Sequence, residues 1–191
     1  GLRYTELPEP RGAAPGTIEI VPFPSQDPQQ AAPASFAWPA QKEFSPLESA
    51  LAEVFAEAFG GDPSTNLYKL FIDSKTRKLD LGARTVAMSF DNEAYAQFGV
   101  YIPDLAASQV TPSRLTAIRQ LVLDELARIA AFPDGSPELD EFHRRIEANL
   151  TRTKRSLDKL TSSPPRFGAR GAGSLWPNLI REINQQAGFT K

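Results

Sequence analysis

His143 and Glu147 are the residue pair with the clearest potential for chemistry. They lie four positions apart, so on a helix the imidazole and the carboxylate would share one face and could contact a metal ion. A zinc site needs three or four ligands, and the sequence has no second histidine and no cysteine. Disulfides, thiolate metal sites and cysteine nucleophiles are therefore excluded. The pair is interpreted as part of an exposed helix, and no catalytic residue and no metal ligand is predicted in this chain.

Glycine-rich and acidic segments give no catalytic signature either. The glycine-rich segment 168–173 lacks a preceding strand and the dinucleotide spacing, which favours a flexible loop. The carboxylates of Glu138, Asp140 and Glu141 fall in the first turn of a predicted helix, where the helix dipole already accounts for them. Neither Gly-x-Ser-x-Gly nor a phosphate-binding loop occurs in the sequence.

Charge is distributed unevenly although the net charge is only −2. Residues 151–191 carry eight lysines and arginines against two acidic residues. A basic segment could contact nucleic acid, but no aromatic side chains are interleaved with it to stack on bases. A solvated face, or a face that docks on an acidic neighbouring domain, is favoured instead. We expect no nucleic-acid partner, and no apolar stretch is long enough to span a membrane.

The density of prolines predicts an extended arm over 1–16, and the order of predicted strands and helices indicates a single α+β domain over 17–191. Alternation predicts strands at 17–21 and 34–38, and a hairpin over 84–102 that is closed by Pro103. The sheet is expected to be mixed but largely antiparallel, with helices packed on one of its faces.

Helical spacing predicts five helices. The first begins with a capping box at Ser45 and Glu48 and ends at Gly60-Gly61. Its inward stripe is predicted to be Leu47, Leu51, Val54, Phe55 and Ala58. A short helix is predicted near 67–71, long ones over 112–130 and from Pro137, and a last one near Pro177.

Segments 51–61 and 64–70 carry a family resemblance. They read Leu-Ala-Glu-Val-Phe-Ala-Glu-Ala-Phe-Gly-Gly and Ser-Thr-Asn-Leu-Tyr-Lys-Leu. This order resembles the helix, Gly-Gly, Ser-x-x-Leu-Tyr element of pitrilysin/insulinase-type zinc metallopeptidases. A charged stretch with Leu-Gly at 74–82, the hairpin, a long helix and a helix that begins Pro-Glu-Leu follow in the family's order, so the resemblance covers 17–160.

The resemblance implies a zinc-peptidase-like metallohydrolase fold. Such enzymes are clamshells of four homologous α+β domains or of paired two-domain subunits. Their first domain holds zinc with an inverted His-x-x-Glu-His motif and a distal glutamate, which this chain lacks. We therefore expect a non-catalytic later domain, cut from a longer protein, that helps to form the peptide-binding chamber. The chain itself would hold no cofactor, and zinc and the general base would lie in another domain of the parent.

One substrate contact is implied by the resemblance. Late domains of the family hold substrate with an arginine and a tyrosine near a Leu-Gly step. That step is Leu81-Gly82 here; Ala83 stands in place of tyrosine, and the arginine nearest to the place where the resemblance expects one is Arg77. Arg77 is thus the candidate substrate-contact residue, and the residues alone indicate an ordinary exposed charge in a loop.

One further reading of the sequence remains open. Degenerate members of the family serve as structural or assembly proteins on the same fold, without peptidase activity. The expected partners are other domains of the same polypeptide, a peptide substrate and, for this piece alone, a second copy in a homodimer, since a face normally covered by neighbours would be exposed. The resemblance favours a periplasmic location.

Overall fold

A computed structural model describes residues 16–22, 25, 27, 29–40, 42–92 and 96–162. The chain divides into two compact units, Gly1–Asp134 and Gly135–Lys191, which are described separately. The arm expected before Gly16, the glycine-rich loop and the helix expected near Pro177 lie outside the described residues. The single domain expected over 17–191 stays a prediction.

The first unit combines a three-stranded sheet with three helices, so the α+β class is confirmed. In chain order its elements are β1 (Ala32–Pro39), α1 (Pro46–Phe59), α2 (Asn66–Phe71), β2 (Ala87–Asp91), β3 (Gln97–Leu105), a short 3-10 turn (Ala107–Gln109) and α3 (Pro112–Ala130). The described sheet is antiparallel throughout, with strand order β1-β3-β2. The predicted hairpin is β2 and β3.

Pro103 does not close the second strand of the hairpin, contrary to the prediction, because β3 continues to Leu105. Tyr101 pairs with Ala87, the first residue of β2, so position 103 lies beyond the start of β2. Residues of β3 alternate between hydrogen bonding toward β1 and toward β2. The N–H that Pro103 lacks would have pointed toward β2, where no strand partner stands, and the proline is tolerated there.

Segment 17–21 is not a strand, contrary to the prediction. Its apolar side chains are exposed, with Ile20 at 45% and Val21 at 71% of full exposure. Alternation alone cannot make a strand when no partner supplies hydrogen bonds and no core covers one face. No described strand pairs with this segment.

The start of α1 confirms the predicted capping box. Ser45 Oγ accepts from Glu48 N at 3.3 Å, and Ser45 N donates to Glu48 Oε2 at 2.9 Å. A hydrogen bond from the Lys42 ammonium, followed by those from Ser45, lowers the pKa of Glu48 to about 2. The helix therefore begins at its proline because a fixed carboxylate and a hydroxyl satisfy its free N–H groups.

The predicted inward stripe of α1 is wrong in its first half and confirmed at its end. Leu47 and Leu51 are 70% and 57% exposed, whereas Ala58 is buried as predicted. Val54 and Phe55 are half-buried, and the buried face also includes Ala52, Ala56 and Phe59. Helix α1 packs closely on β2. Alanine methyls allow that close approach, which branched leucines at the same interface would prevent.

The core of the first unit lies between the helices and one face of the sheet. Even-numbered residues of β1 face this core and odd-numbered ones are exposed. The apolar stripe of α3 faces this core through Leu115, Ile118 and Val122, which are buried at helical spacing. The fully buried large side chains of the core are Phe59, Leu67, Phe71, Leu81, Val86, Val100, Ile102, Leu105, Ile118 and Val122.

The described part of the second unit is one helix, α4 (Pro137–Ser162). Ser136 caps it by accepting from Leu139 N at 3.3 Å, as the Ser-Pro start predicts. Phe142 is buried and Leu150 is 45% exposed. Among the described helices of the chain, none is long and apolar enough to cross a lipid bilayer.

Candidate functional site

Gly60 lies where α1, α2 and β2 meet, at the centre of the segment that carries the family resemblance. A Cβ at this position would be 2.6 Å from Leu67 Cδ1 and 3.0 Å from Met88 N. The Gly60 carbonyl accepts a hydrogen bond from Met88 N at 3.0 Å. The missing side chain thus allows the end of α1 to bond directly to β2 while Leu67 fills the space beside it.

The turn after Gly60 is held by Thr65, which is 2% exposed. Thr65 Oγ1 donates to the Asp62 carbonyl at 2.7 Å and accepts from Gly61 N at 3.3 Å. Asp62 Oδ1 accepts from Ser64 N at 2.8 Å. These bonds fix the chain between α1 and α2, so the Gly-Gly and Ser-x-x-Leu-Tyr segments form one rigid joint.

A buried polar network, which the sequence reasoning missed, ties this joint to α3. Asn66 Nδ2 donates to Glu125 Oε1 at 2.6 Å, and Arg128 reaches both oxygens of the same carboxylate at 2.6 and 2.9 Å. Burial raises the pKa of Glu125, but hydrogen bonds from Arg128 and Asn66 outweigh it, and the pKa is lowered. Asn66 and Glu125 are 6% and 7% exposed.

A signal for this network exists in the sequence. Glu125 follows Val122 by three positions and precedes Ile129 by four, so it interrupts the apolar stripe of α3. An acid on a buried face needs a partner. Arg128 could be found from its i+3 spacing, but Asn66, which lies 59 residues away in the chain, could not.

Arg77, the predicted substrate-contact residue, lies in the loop between α2 and β2. Its Nη2 is 2.6 Å from Asp80 Oδ2, and its backbone N–H donates to the Asp73 carbonyl at 2.8 Å. The side chain remains 36% exposed. The ion pair with Asp80 holds the guanidinium at the surface, where its other N–H groups could contact a carboxylate or a backbone carbonyl of a ligand.

The Leu81-Gly82 step anchors this loop to the core. Leu81 is fully buried, and its carbonyl accepts from Ala106 N at 3.2 Å. Gly82 has φ +62 and a Cβ there would be 2.7 Å from Ala106 Cβ, so both its conformation and its surroundings require glycine. Ala83 is partly buried against the core. The position that the family fills with tyrosine therefore holds a methyl group packed inward.

Arg84 lies later in the same loop, shortly before β2, and its side chain is 90% exposed. Its Nε and its backbone N–H both donate to Asp104 Oδ2 at 3.1 Å. Burial raises the pKa of Asp104, but the hydrogen bonds from Arg84 outweigh it, and the pKa is lowered. The loop that carries Arg77 thus displays two arginines, each held by one carboxylate.

In the second unit, His143 and Glu147 are exposed on one face of α4, as their spacing predicts. They line a surface depression of about 570 Å³ together with Pro137, Asp140 and Arg144. In the ranges that the structure describes, no three side chains of histidine, aspartate or glutamate are grouped so that they could hold a metal ion. The expectation about zinc stays a prediction.

Comparison of the chain with protein-family models, with curated proteins and with solved structures finds no match.

Proposed function

We propose that this chain is a non-catalytic domain of a zinc-dependent metallopeptidase of the pitrilysin/insulinase type. It would help to enclose the peptide-binding chamber, while zinc and the general base lie in another part of the parent protein. The proposal rests on the resemblance, and the structure supplies a physical reason for the residues that carry it.

The joint at Gly60 is the observation that carries the proposal. Gly60, Thr65 and Leu67 belong to the resembling segments, and each is buried where α1, α2 and β2 meet. A match confined to exposed positions would be easy to obtain by chance. A match at positions that the packing requires is what a shared fold predicts.

The surface of α1 supports a role beside neighbouring domains. Leu47 and Leu51 lie one turn apart and are mostly exposed. A neighbouring domain that packs on this face would cover both side chains. Arg77 and Arg84 would act at a different surface, where the loop before β2 could hold carboxylate or carbonyl groups of a peptide.

The proposal is tested on the product of the complete natural gene. We expect one zinc ion per catalytic domain, cleavage of an unstructured fluorogenic peptide, and loss of cleavage on chelation of the metal. The 191-residue chain alone should bind no stoichiometric zinc and cleave nothing. A complete gene product without zinc and without cleavage would contradict the proposal and leave the structural or assembly role on the same fold.

Arg77 is tested in the same complete protein with Arg77→Ala, and Arg119→Ala serves as the matched control because Arg119 is an exposed arginine on α3. A substrate contact predicts a raised KM for the Arg77 variant with little change in kcat. Equal kinetics for the two variants would show that Arg77 is only a surface charge.

A further inference from the structure

The outer edge of β1 has a restricted set of hydrogen-bonding groups. Ala40 N donates to Ala96 O at 2.7 Å, so the alternation of an antiparallel pair directs the even-numbered residues of β1 toward β3. The odd-numbered residues therefore direct their N–H and C=O groups away from the sheet. Two of these, Pro33 and Pro39, have no N–H, and the outward donors are those of Ser35 and Ala37.

The opposite edge of the sheet is partly occupied by contrast. On β2 the even-numbered residues point outward, and the N–H of Met88 is already bonded to the Gly60 carbonyl at 3.0 Å. At β1, no described strand pairs with the outer edge. The strand also carries no charged residue that would repel a second strand.

The outward groups of β1 are symmetric about Phe36. An antiparallel copy placed with Phe36 opposite Phe36 would bring Ser35 opposite Ala37 and Pro33 opposite Pro39. Each Ser35–Ala37 pair exchanges two hydrogen bonds, so the two pairs satisfy every outward N–H of this segment on both copies. Pro33 and Pro39, which have no N–H, lie opposite each other, so every outward N–H of this segment has an acceptor on the other copy.

We propose that the β1 edge is a self-association site at which two copies of this chain join their sheets into one six-stranded antiparallel sheet. In the register centred on Phe36, the strand pairing cannot extend further, because Pro33 and Pro39 at the two ends have no N–H to donate. The bonding is isologous and produces a dimer rather than a fibre.

Side chains on the core-facing side of β1 fit the same register. Trp38 would lie opposite Ala34, a large residue against a small one, and the two Phe36 rings would form a cross-strand pair. Phe36 and Trp38 are half-buried and already stacked, with ring centroids 6.2 Å apart. Association would remove their remaining apolar surface from water.

Sedimentation velocity across a wide range of protein concentration tests the proposal, and we expect a monomer–dimer equilibrium. Ala37→Pro removes two of the four bonds without touching the bonds to β3, and should raise the dimer Kd about tenfold or more. Ala37→Ser keeps the N–H and should leave the Kd within about threefold. A monomer at all concentrations, or an equal Kd for both variants, would overturn the proposal.

Disulfide formation between introduced cysteines tests the register separately. The chain has no cysteine of its own that could compete with them. In the proposed dimer Ser35→Cys and Ala37→Cys face each other with Cα atoms about 5.5 Å apart, within disulfide range. In a dimer of two identical variants, the two cysteines are diagonal neighbours with Cα atoms about 7–8 Å apart, which is at or beyond disulfide range. We expect the mixed disulfide to dominate over both homodimers. Absence of disulfide, or homodimers in excess, would contradict this register.

Discussion

The substitution Gly60→Ala places a methyl group at the joint between α1, α2 and β2. The new Cβ would be 2.6 Å from Leu67 Cδ1 and 3.1 Å from Met88 Cβ. Leu67 is fully buried, and the Met88 backbone N, which would be 3.0 Å from the new Cβ, is held by its bond to the Gly60 carbonyl. Overpacking of this kind costs about 1–3 kcal/mol, and since two neighbours must shift we expect about 2 kcal/mol.

The backbone does not add to this cost, which makes the magnitude interpretable. Gly60 has φ −148, a conformation that alanine adopts freely. Any loss of stability therefore comes from packing. In a chain of this size it should lower the midpoint of thermal unfolding by about 4–8 °C, measured by circular dichroism alongside urea unfolding.

Gly61→Ala is the matched control. A Cβ at Gly61 would meet only the Glu57 carbonyl at 3.6 Å, which is ordinary contact. Both variants gain the same reduction in unfolded-chain entropy, so the difference between them isolates the clash. We expect Gly61→Ala to remain within about 0.5 kcal/mol of the parent chain. Equal unfolding free energies for the two variants would refute the claim that Gly60 is required by packing.

Three further outcomes are expected. The pKa of Glu125 is lowered from 4.5, so its contribution to the free energy of unfolding is present above pH 4.5 and is lost as the pH falls through the lowered pKa. Glu125→Gln should therefore reduce the loss of stability between neutral and acid pH, measured by urea unfolding. Leu51→Ser should change the free energy of unfolding by less than about 0.5 kcal/mol, and Ala56→Ser should lower it by about 1–3 kcal/mol. A larger loss for Leu51→Ser than for Ala56→Ser would mean that Leu51 lies on the buried face of α1, as the sequence predicted. Pro39→Ala supplies an N–H opposite the partner's Pro33 carbonyl and should tighten the dimer about tenfold in sedimentation velocity; an unchanged Kd would contradict the register centred on Phe36.

Local signals explain what the sequence predicted well. Ser45 and Glu48 are three residues apart, and the capping box they form needs nothing from the rest of the chain. The hairpin of β2 and β3 likewise follows from alternation on both sides of a polar turn. The stripe of α3 was predictable because polar residues separate its apolar ones.

Non-local packing explains what the sequence predicted wrongly. Helix α1 carries leucine, alanine, valine and phenylalanine around most of its circumference, so spacing alone could not select the buried face. Where α1 packs on β2 and the core, Ala56 is buried and Leu51 stays 57% exposed. At 17–21 the alternation was present, but no described strand pairs with it.

The candidate site shows the same division between local and distant causes. The charged loop around Arg77 was predictable as an exposed segment, and its contact with a peptide stays a prediction. The bond between Asn66 and Glu125 joins α2 to α3 and could not be derived from either segment alone. The sequence identified Arg77 as an exposed charge, but it did not identify Asn66 as the partner that offsets the cost of burying the Glu125 carboxylate.

Backbone alternation connects the joint at Gly60 to the proposed dimer edge. In a three-stranded antiparallel sheet the central strand uses both sets of its hydrogen-bonding groups, and each outer strand leaves one set unused. On β2 the Gly60 carbonyl takes up Met88 N, so that edge cannot pair with another strand over its full length. On β1 the two prolines shorten the open set to Ser35 and Ala37. A variant that loses the Gly60 contact should therefore free a donor on β2, whereas association through β1 should persist as long as the sheet itself is folded.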